Sequence, residues 1–398
     1  MSTASVVLPT PPAAPAGTDA LARDVPLARI KAEIARARPL CTVFATSRTD
    51  HTMQLYSGLY ALRDAGCIRL RQRHARAAAM RRLGAGPVER ARFTKALENL
   101  LVDVEGAGLV FFDVRDSGAW FPEVAERVAL YAKRSFRSAA FGGARGRFVP
   151  LGLNYAVVLD RTCAAELARA LAQVDGSAFS LKRVCLSLVR LVPPLGAALG
   201  APTVSRLSAA PAPEVPPRAI FFARTWEPVE ADDVGFDVLN ETRAACIRAL
   251  REAFGPRFLG GFSRTPHACR RYPDCVVDAD VSTRRGDYLR RLPAYPVCVA
   301  TTGLYGSIGW KFAEYVALSK AIVSEPLEFE APGPMAPGEN YLPFATPDEC
   351  VDAVARLFAD RDLRSRMMAR NREYYLEHGS PDAIVARVLH AALAPGRF

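Results

Sequence analysis

Residues 296 to 329 read PVCVATTGLYGSIGWKFAEYVALSKAIVSEPLEF. The apolar run from Val297 to Ala300 is typical of a strand that is buried on both faces of a parallel sheet. A loop rich in small residues follows. Ser307 is a good N-cap for the next segment, in which apolar residues recur at helical spacing. A second apolar run, Ala321 to Ser324, comes directly afterwards. The stretch therefore predicts a parallel crossover of strand, helix and strand.

The helix start in this stretch predicts a phosphate site. The first N–H groups of a helix have no partner within the helix, so they are available to an anion. Thr302, Gly303, Gly306 and Ser307 lie in the loop before the predicted helix, and Lys311 lies in its first turns. We expect these five residues to contact the phosphates of a ligand.

The length of the chain limits the number of domains, and its net charge limits the kinds of partner. With 398 residues, 50% of them hydrophobic, the chain is long enough and apolar enough for two domains. The formal net charge of +11 favours anionic partners. Nucleotides, phosphorylated sugars, acidic lipid headgroups and nucleic acid all meet that description, and charge alone does not choose among them.

The cysteines indicate a reducing compartment. Nine cysteines, an odd number, are scattered along the chain and read as reduced thiols of a cytoplasmic protein. His267, Cys269 and Cys275 lie close together but lack the paired spacing of a zinc site, so we expect no metal there. The start of the chain does not read as a signal peptide, and the apolar stretch from Cys185 to Val204 contains an arginine and two prolines, so we expect no membrane-spanning helix.

Composition and periodicity predict the domain organisation. Residues 1–37 read as a disordered tail with a lead-in helix, 38–208 as an N-terminal Rossmann-like domain, and 209–217, rich in proline and alanine, as a linker. Residues 218–378 read as a second Rossmann-like domain. Residues 379–398 read as a C-terminal helix that packs back on the first domain.

Strands alternate with helical segments in both domains, which is typical of parallel α/β sheets. In the first domain we expect strands at 41–47, 67–73, 99–104, 108–114 and 128–136, further strands at 147–159 and 181–192, and a helix at 164–173. In the second domain we expect strands at 219–223, 258–262, 275–281, 297–300 and 321–324.

The segment GSIGWKFAEYVALSKAIVSEP resembles the donor-binding half of glycosyltransferases of the GT-B fold (group 1-like). The resemblance covers about residues 218–378 and extends more vaguely over the N-terminal half. It implies an α/β protein with two Rossmann-like domains whose parallel sheets face each other across a cleft. It also implies that the second domain binds a nucleotide sugar and the first binds the acceptor.

The same resemblance implies roles for individual residues. In the retaining branch of these enzymes two glutamates stand eight positions apart. Glu314 matches the second glutamate, but Gly306 occupies the position of the first. Whether the reaction retains or inverts the anomeric configuration therefore stays open. The implied role of Glu314 is to accept hydrogen bonds from the donor's ribose. Arg224, just after the first strand of the second domain, matches the place where many relatives have a basic residue near the diphosphate.

Sugar transfer to an acceptor hydroxyl also needs a group that takes up the hydroxyl proton. The sequence contains three candidates on the acceptor side. His51 lies in the loop after the first strand, has a near-neutral intrinsic pKa and has Asp50 beside it, which suits a general base. Asp113 and Asp116, after the fourth strand, are the carboxylate alternatives. Each of the three also has a plain structural interpretation, as a helix cap, a solvated loop residue or a strand-end residue.

Two other features have simple explanations as well. Lys311 and Glu314 are three residues apart on a helix and can form a surface ion pair. The basic tract RLRQRHARAAAMRR at 69–82 can bind an anionic acceptor or membrane, or can be a solvated basic face.

The sequence as a whole predicts a glycosyltransferase that moves a hexosyl or related group from a nucleotide sugar to a hydroxyl of a glycan, a lipid-linked saccharide or a protein. We expect no cofactor beyond the donor itself and no metal, because no DxD-type motif stands out at a strand end, and Arg224, Lys311 and a helix start can neutralise the diphosphate. We expect a cytoplasmic location, with peripheral contact at the inner face of an anionic membrane. The alternatives are a sugar-nucleotide epimerase or hydrolase, and a module that binds nucleic acid or an anionic surface.

Overall fold

A computed structural model describes residues 25–44, 50–73, 76–86, 90–142, 147–159, 202–227 and 235–394, together with 181, 184 and 185. The helix expected at 164–173, nearly all of the strand expected at 181–192 and the tail before residue 25 lie outside the described residues. Among the helices of the described part, none combines the length and apolar content that crossing a bilayer requires.

The described part of the N-terminal half forms a six-stranded sheet with the order β2-β1-β3-β4-β5-β6. Its strands are β1 (Leu40–Phe44), β2 (Arg69–Arg73), β3 (Leu100–Val104), β4 (Gly108–Asp113), β5 (Leu130–Lys133) and β6 (Phe148–Pro150). The segment expected to be one long strand at 147–159 contains only β6, followed by an extended chain.

One strand of this sheet runs against the expected direction. β3 is antiparallel to both β1 and β4, while the other strand pairs are parallel. Only residues 105–107 connect β3 to β4, and so short a turn can join only antiparallel strands, since a parallel crossover needs a dozen or more residues. The expected all-parallel sheet is therefore a mixed sheet that is mostly parallel.

Helices cover this sheet and supply its core. They are α1 (Leu27–Ala37), α2 (Met53–Asp64), α3 (Arg76–Arg82), α4 (Arg90–Ala96) and α5 (Pro122–Ala125), and a short helix, α6 (Val204–Leu207), lies further along the chain. In α2 nearly every residue is buried, because one side packs on the sheet and the other on a helix from the far end of the chain.

The C-terminal half contains a second sheet, which is entirely parallel, with the order β11-β10-β9-β7-β8. Its strands are β7 (Ala219–Ala223), β8 (Phe258–Phe262), β9 (Val297–Ala300), β10 (Ala321–Ser324) and β11 (Leu342–Pro343). All residues of β7, β9 and β10 are buried, as the apolar runs predict. The strand expected at 275–281 is wrong: only Val276 makes an isolated bridge, to Phe262.

The helices of this half are α7 (Phe236–Phe254), α8 (Pro266–Arg271), α9 (Arg285–Arg291), α10 (Trp310–Ala317), α11 (Pro347–Ala359), α12 (Arg361–Tyr374) and α13 (Pro381–Leu393). Three of them, α8, α11 and α13, begin with a hydroxyl cap followed by proline, at Thr265, Thr346 and Ser380. The expected cap of α10 is wrong: Gly309 precedes this helix, and Ser307 belongs to the extended loop before it.

The chain then returns to the N-terminal half. α13 packs against α1 and α2, and its apolar side chains belong to the same core as β1, β3 and β4. The predicted fold class, an α/β protein with two Rossmann-like parallel sheets, is confirmed, and the antiparallel β3 makes the first sheet mostly rather than entirely parallel.

Candidate functional site

The second sheet changes its winding direction between β7 and β9. These strands are neighbours in space, and the chain leaves them toward opposite edges of the sheet, because β8 lies beyond β7 and β10 lies beyond β9. Loops separate at such a point and leave a crevice outside the carboxyl ends of the strands, which is where open α/β sheets bind ligands. Arg224, after β7, and Thr301 to Gly303, after β9, lie at this place.

A buried arginine that the sequence analysis missed holds the two loops together. Arg243, on α7, donates to Thr301 Oγ1, to the Arg224 carbonyl and to the Thr302 carbonyl, each at 2.9 Å. Its side chain is buried, and burial lowers its pKa to about 10. Only its position on the buried face of α7, with Ile247 and Leu250, could have signalled this role.

Glu325, directly after β10, holds the same loop from the other side. Its carboxylate accepts from the Thr302 backbone N–H at 2.7 Å and from Thr302 Oγ1 at 3.0 Å. Both hydrogen-bond donors of Thr302 are therefore occupied by Glu325. Thr302 thus stabilises the loop at the predicted site.

The rest of the loop is tightly folded. The Gly303 N–H donates to the Ser307 carbonyl at 2.7 Å, and a Cβ on Gly303 would lie 2.6 Å from Ser307 Oγ. Gly306 has φ of +69° and lies against the Glu328 carboxylate, 2.6 Å from where its Cβ would be. Tyr305 also has a positive φ, +59°, and its side chain is 48% exposed. Strained residues of this kind are concentrated at ligand sites.

Arg224 is the exposed cation of the crevice. Its guanidinium lies 3.7 Å from the centroid of the Trp226 ring. Partial burial lowers its pKa, and the charge of Asp116 opposes that effect. Asp116 belongs to the N-terminal half, so the charge that acts on Arg224 comes from the other domain.

The wall opposite is built around Arg134, which was not predicted. Its side chain is 4% exposed, pairs with the Asp116 carboxylate, and donates from Nη1 to His51 Nδ1 at 3.2 Å. From Nη2 it donates to the Ile308 carbonyl at 2.9 Å, so it also joins the two domains. His51 and Asp116, two of the residues predicted from the sequence, therefore lie together around Arg134, which the sequence did not indicate.

The contact with Arg134 fixes the hydrogen bonding of His51. A guanidinium can only donate, so Nδ1 must accept, and the neutral ring carries its proton on Nε2. Burial, and secondarily the charge of Arg134, lower the pKa of His51, while Asp116 raises it. Its surroundings therefore favour the neutral form of the His51 ring.

Asp113 occupies a different environment. Its carboxylate is fully buried and accepts from Arg115 at 2.6 and 3.0 Å and from the Tyr131 hydroxyl at 2.6 Å, with Lys133 Nζ at 3.5 Å. Burial lowers the pKa of Lys133 to about 8, and Asp113 opposes that shift. The side chain of Asp116, by comparison, is 32% exposed. Of the two aspartates, only Asp116 is accessible from the crevice.

Lys311 and Glu314 do not pair with each other. The Glu314 carboxylate is 3% exposed and accepts from Arg285, on α9, at 2.6 and 2.8 Å, and Arg285 also donates to the Ala156 carbonyl of the N-terminal half at 2.6 Å. Lys311 Nζ lies 3.7 Å from the centroid of the Tyr288 ring, and burial lowers its pKa to about 8, with Glu314 opposing. Lys311 is thus a cation that changes charge near neutral pH.

The described ranges contain no metal centre: His, Cys, Asp and Glu side chains there do not gather in groups of three or more that could hold an ion.

Neither the protein-family models nor the curated proteins contain a match to this chain. Solved structures do match. An α1,3-fucosyltransferase is 12% identical, with 90% of this chain and 92% of that chain covered and a TM-score of 0.42. A putative UDP-N-acetylglucosamine 2-epimerase from Listeria monocytogenes is 11% identical, with 90% and 76% covered and a TM-score of 0.35.

A third match covers less than half of this chain. The C-terminal domain of a group 1 family glycosyl transferase from Francisella tularensis is 12% identical, with 43% of this chain and 95% of that chain covered and a TM-score of 0.31. The matched structures are mainly glycosyltransferases. Because the identities and TM-scores are low, the function has to be argued from the residues of this chain.

Proposed function

We propose that this chain is a glycosyltransferase that binds a nucleotide sugar in the crevice outside β7 and β9 and transfers the sugar to a hydroxyl acceptor held by the N-terminal domain. The observation that carries the proposal is the arrangement of charged side chains where the second sheet changes its winding direction, between β7 and β9. Arg243 fixes the two strand-end loops, Arg224 projects from them, and Asp116 and His51 lie on the opposite wall.

The crevice can neutralise a diphosphate with protein groups alone. Arg224 offers a guanidinium that can bind two phosphate oxygens at once. The first N–H groups of α10 have no partner within that helix, and its positive end faces the same loop. Lys311 adds a charge below its pKa of about 8. We therefore propose donor binding without a metal ion, and these residues as the donor-binding set with Thr302, Gly303, Gly306 and Ser307 shaping the loop.

In the proposed reaction the anomeric carbon forms a bond to the acceptor oxygen, and its bond to the diphosphate oxygen breaks. The acceptor hydroxyl loses its proton to a base of the protein if the configuration inverts, or to the leaving diphosphate if it is retained. Asp116 is the candidate base at the crevice. His51 can take the proton only when its Nδ1 is released from Arg134, because Nε2 already carries a hydrogen, and Asp113 supports the wall behind them. The proposed acceptor is a hydroxyl of a glycan, a lipid-linked saccharide or a protein, and the proposed role lies in cytoplasmic glycan biosynthesis.

The exposed arginines of β2 also support the alternative that this chain binds an anionic surface. β2 is an edge strand, and Arg69, Arg71 and Arg73 all point to its exposed face. Arg69 pairs with Glu105, and Arg82 on α3 pairs with Asp103, so part of the tract is neutralised. We propose this face as a contact with an anionic membrane that brings a lipid-linked acceptor to the enzyme.

Thermal-shift measurements with UDP, GDP, ADP and CDP, in EDTA and separately in Mg²⁺, test the proposal. A ligand that binds the folded state raises Tm, by an amount set by its concentration relative to Kd. We expect one diphosphate to raise Tm in EDTA and the Arg224→Met variant to lose most of that shift. Products formed from the matching nucleotide sugar then distinguish transfer from epimerisation or hydrolysis. A strict need for Mg²⁺ would contradict the metal-free site, and no shift with any diphosphate would contradict the proposed function.

A further inference from the structure

A short segment after β10, residues 325–330, begins by holding the loop after β9, residues 301–309. Glu325 accepts from the backbone N–H and the hydroxyl of Thr302. Three residues later, Glu328 Oε1 lies 2.6 Å from where a Cβ on Gly306 would be. The segment therefore contacts, at two points, the loop that we propose to bind the diphosphate.

The same segment ends on the N-terminal domain. The Glu330 carboxylate accepts from the Ser138 backbone N–H at 2.7 Å and from Ser138 Oγ at 2.6 Å. The Glu330 N–H donates to the Phe136 carbonyl at 2.9 Å, which makes an antiparallel bridge between the two domains. Glu330 therefore holds residues 136–138 through both its backbone and its side chain.

Phe329, between the two glutamates, packs on the loop that carries Asp116. Its side chain is buried, and its Cε1 lies 3.4 Å from where a Cβ on Gly118 would be, two residues after Asp116. Arg137 pairs with Glu328 at 3.0 Å, and its guanidinium lies 5.2 Å from the centroid of the Phe329 ring. An apolar contact and an ion pair thus accompany the bonds of Glu330.

The residues that receive this segment continue directly from those that hold Asp116. Arg134 pairs with the Asp116 carboxylate, and the buried Ser135 donates from Oγ to the Asp116 carbonyl at 2.5 Å. Residues 136–138 come next in the chain and bind Glu330. An unbroken series of contacts therefore runs from the loop after β9 to Asp116.

Sugar transfer depends on how these two sides are aligned, because the donor lies on one domain and the candidate base on the other. Domains joined by polar contacts move relative to each other unless something fixes them. A misplacement of about 1 Å can cost about 10²-fold in rate. We propose that Glu330 is a positioning residue for sugar transfer, which fixes Asp116 relative to the loop that binds the donor. The inference rests on the proposed function, because it concerns the alignment of groups in that reaction.

Three variants test this role. Glu330→Met removes the acceptor oxygens with little change in length, and Glu330→Gln is the conservative variant, because its amide oxygen can still accept from Ser138. Ser138→Ala removes the hydroxyl from the other domain. Glu339→Met serves as the matched control, since Glu339 pairs with Arg370 at 3.2 Å within the C-terminal domain.

Hydrogen exchange of the full chain, read by mass spectrometry, shows whether Glu330 holds both loops. Amide exchange reports local opening of the structure. We expect Glu330→Met to raise exchange by about threefold or more in peptides from 114–121 and from 301–309, and Glu330→Gln and Glu339→Met to match wild type. Unchanged exchange of the 114–121 peptides in Glu330→Met would overturn the proposal.

Turnover shows whether the alignment serves the reaction. The assay is release of UDP from UDP-glucose, or of whichever diphosphate binds from its sugar conjugate, to water or to methyl β-D-glucopyranoside. We expect Glu330→Met to lower kcat by about tenfold or more with donor KM and diphosphate Kd nearly unchanged, and Glu330→Gln to restore most of it. Ser138→Ala should lower kcat by less, and the double variant by no more than Glu330→Met alone, because both changes break one contact.

The outcomes separate this role from the proposed function. A Glu330→Met enzyme with lowered Tm but normal kcat would show a purely structural contact and overturn the positioning role. No diphosphate shift and no release by wild type would overturn the proposed function, and the positioning role with it, even where the exchange result shows that Glu330 holds both loops.

Discussion

At the scale of single residues, two buried guanidinium groups organise the crevice. Arg243 links the ends of β7 and β9 through three bonds of 2.9 Å, and Arg134 links His51, Asp116 and Ile308. Both donate to acceptors on several fixed elements, so both act by holding other groups in place. The groups that remain to contact ligands are those they position, Arg224 on one wall and His51 and Asp116 on the other.

The three candidate bases give a first prediction. If the reaction inverts with Asp116 as the base, Asp116→Asn should lower kcat by about 10²–10⁴-fold with nearly unchanged nucleotide affinity, and His51→Ala should do the same only if Nδ1 leaves Arg134 to accept the proton. Asp113→Asn should mainly lower stability, by about 3 kcal/mol, since it leaves Arg115 and Lys133 with a weakened buried partner. Kinetics and denaturant unfolding of all three check this. An Asp113→Asn enzyme that is stable but inactive would move the base to Asp113.

Lys311 gives a prediction about pH. Its pKa of about 8 means that the ammonium is charged below pH 8 and neutral above it. A phosphate is fully ionised over this range, because its second pKa is about 6. Diphosphate affinity should therefore fall by about tenfold between pH 7 and pH 9.5, since losing one charge contact costs about 1.4 kcal/mol.

Calorimetry at several pH values measures this effect. Lys311→Met should show the lower affinity at every pH, and Lys95→Met, which changes an exposed lysine on α4, should behave like wild type. A wild-type affinity that does not change with pH would show that Lys311 does not meet the phosphates.

At the scale of elements, the crossing of α2 and α13 depends on one glycine. A Cβ on Gly58 would lie 2.1 Å from the Pro381 carbonyl oxygen and 2.6 Å from Val385 Cγ2. Gly58→Ala gains about 1 kcal/mol of helix propensity, but forcing the helices apart at this backbone contact costs about 3 kcal/mol or more. The free energy of unfolding should therefore fall by about 2 kcal/mol or more.

Chemical denaturation with Gly142→Ala as the control tests this. A Cβ on Gly142 would have its nearest neighbour at 4.0 Å, and its φ of −59° suits any residue, so the control should be close to neutral. An unchanged stability of Gly58→Ala would mean that α13 does not pack this closely on α2.

The elements also show what sequence can and cannot predict. β7, β8, β9 and β10 were predicted with their observed bounds, because their apolar runs end at sharp polar or glycine boundaries. The direction of β3 was missed, although the three-residue turn at 105–107 already required it. The strand expected at 275–281 failed because an apolar run of this length is compatible with several buried conformations.

Fewer features of the candidate site than of the fold could be predicted, because many of its contacts join residues that are far apart in the chain. His51, Asp116 and Arg224 could be placed because each follows a predicted strand. Arg134 could not, because its partners His51 and Ile308 are 83 and 174 residues away in the chain. Likewise Glu314 lies on the expected helix, but its partner Arg285 comes from a helix 29 residues earlier. Local sequence places a side chain at a site, and only tertiary structure shows what it touches.

At the scale of the whole molecule, the two domains meet through polar contacts around the crevice. Arg134 to Ile308, Arg285 to Ala156 and Ser138 to Glu330 all cross between the domains, and α13 ties the end of the chain to the first domain. This arrangement closes the crevice with groups from both sides. A ligand bound in the proposed crevice would contact both domains, as transfer from a donor to an acceptor requires.

The most direct test of this account is a crystal structure of the chain with the nucleoside diphosphate that gives the largest thermal shift. The account predicts density for the diphosphate beside the Arg224 guanidinium and the loop from Thr301 to Gly309, outside the carboxyl ends of β7 and β9. Density confined to the arginines of β2, or to the surface pocket of about 330 Å³ between Glu339 and Arg370, would contradict it.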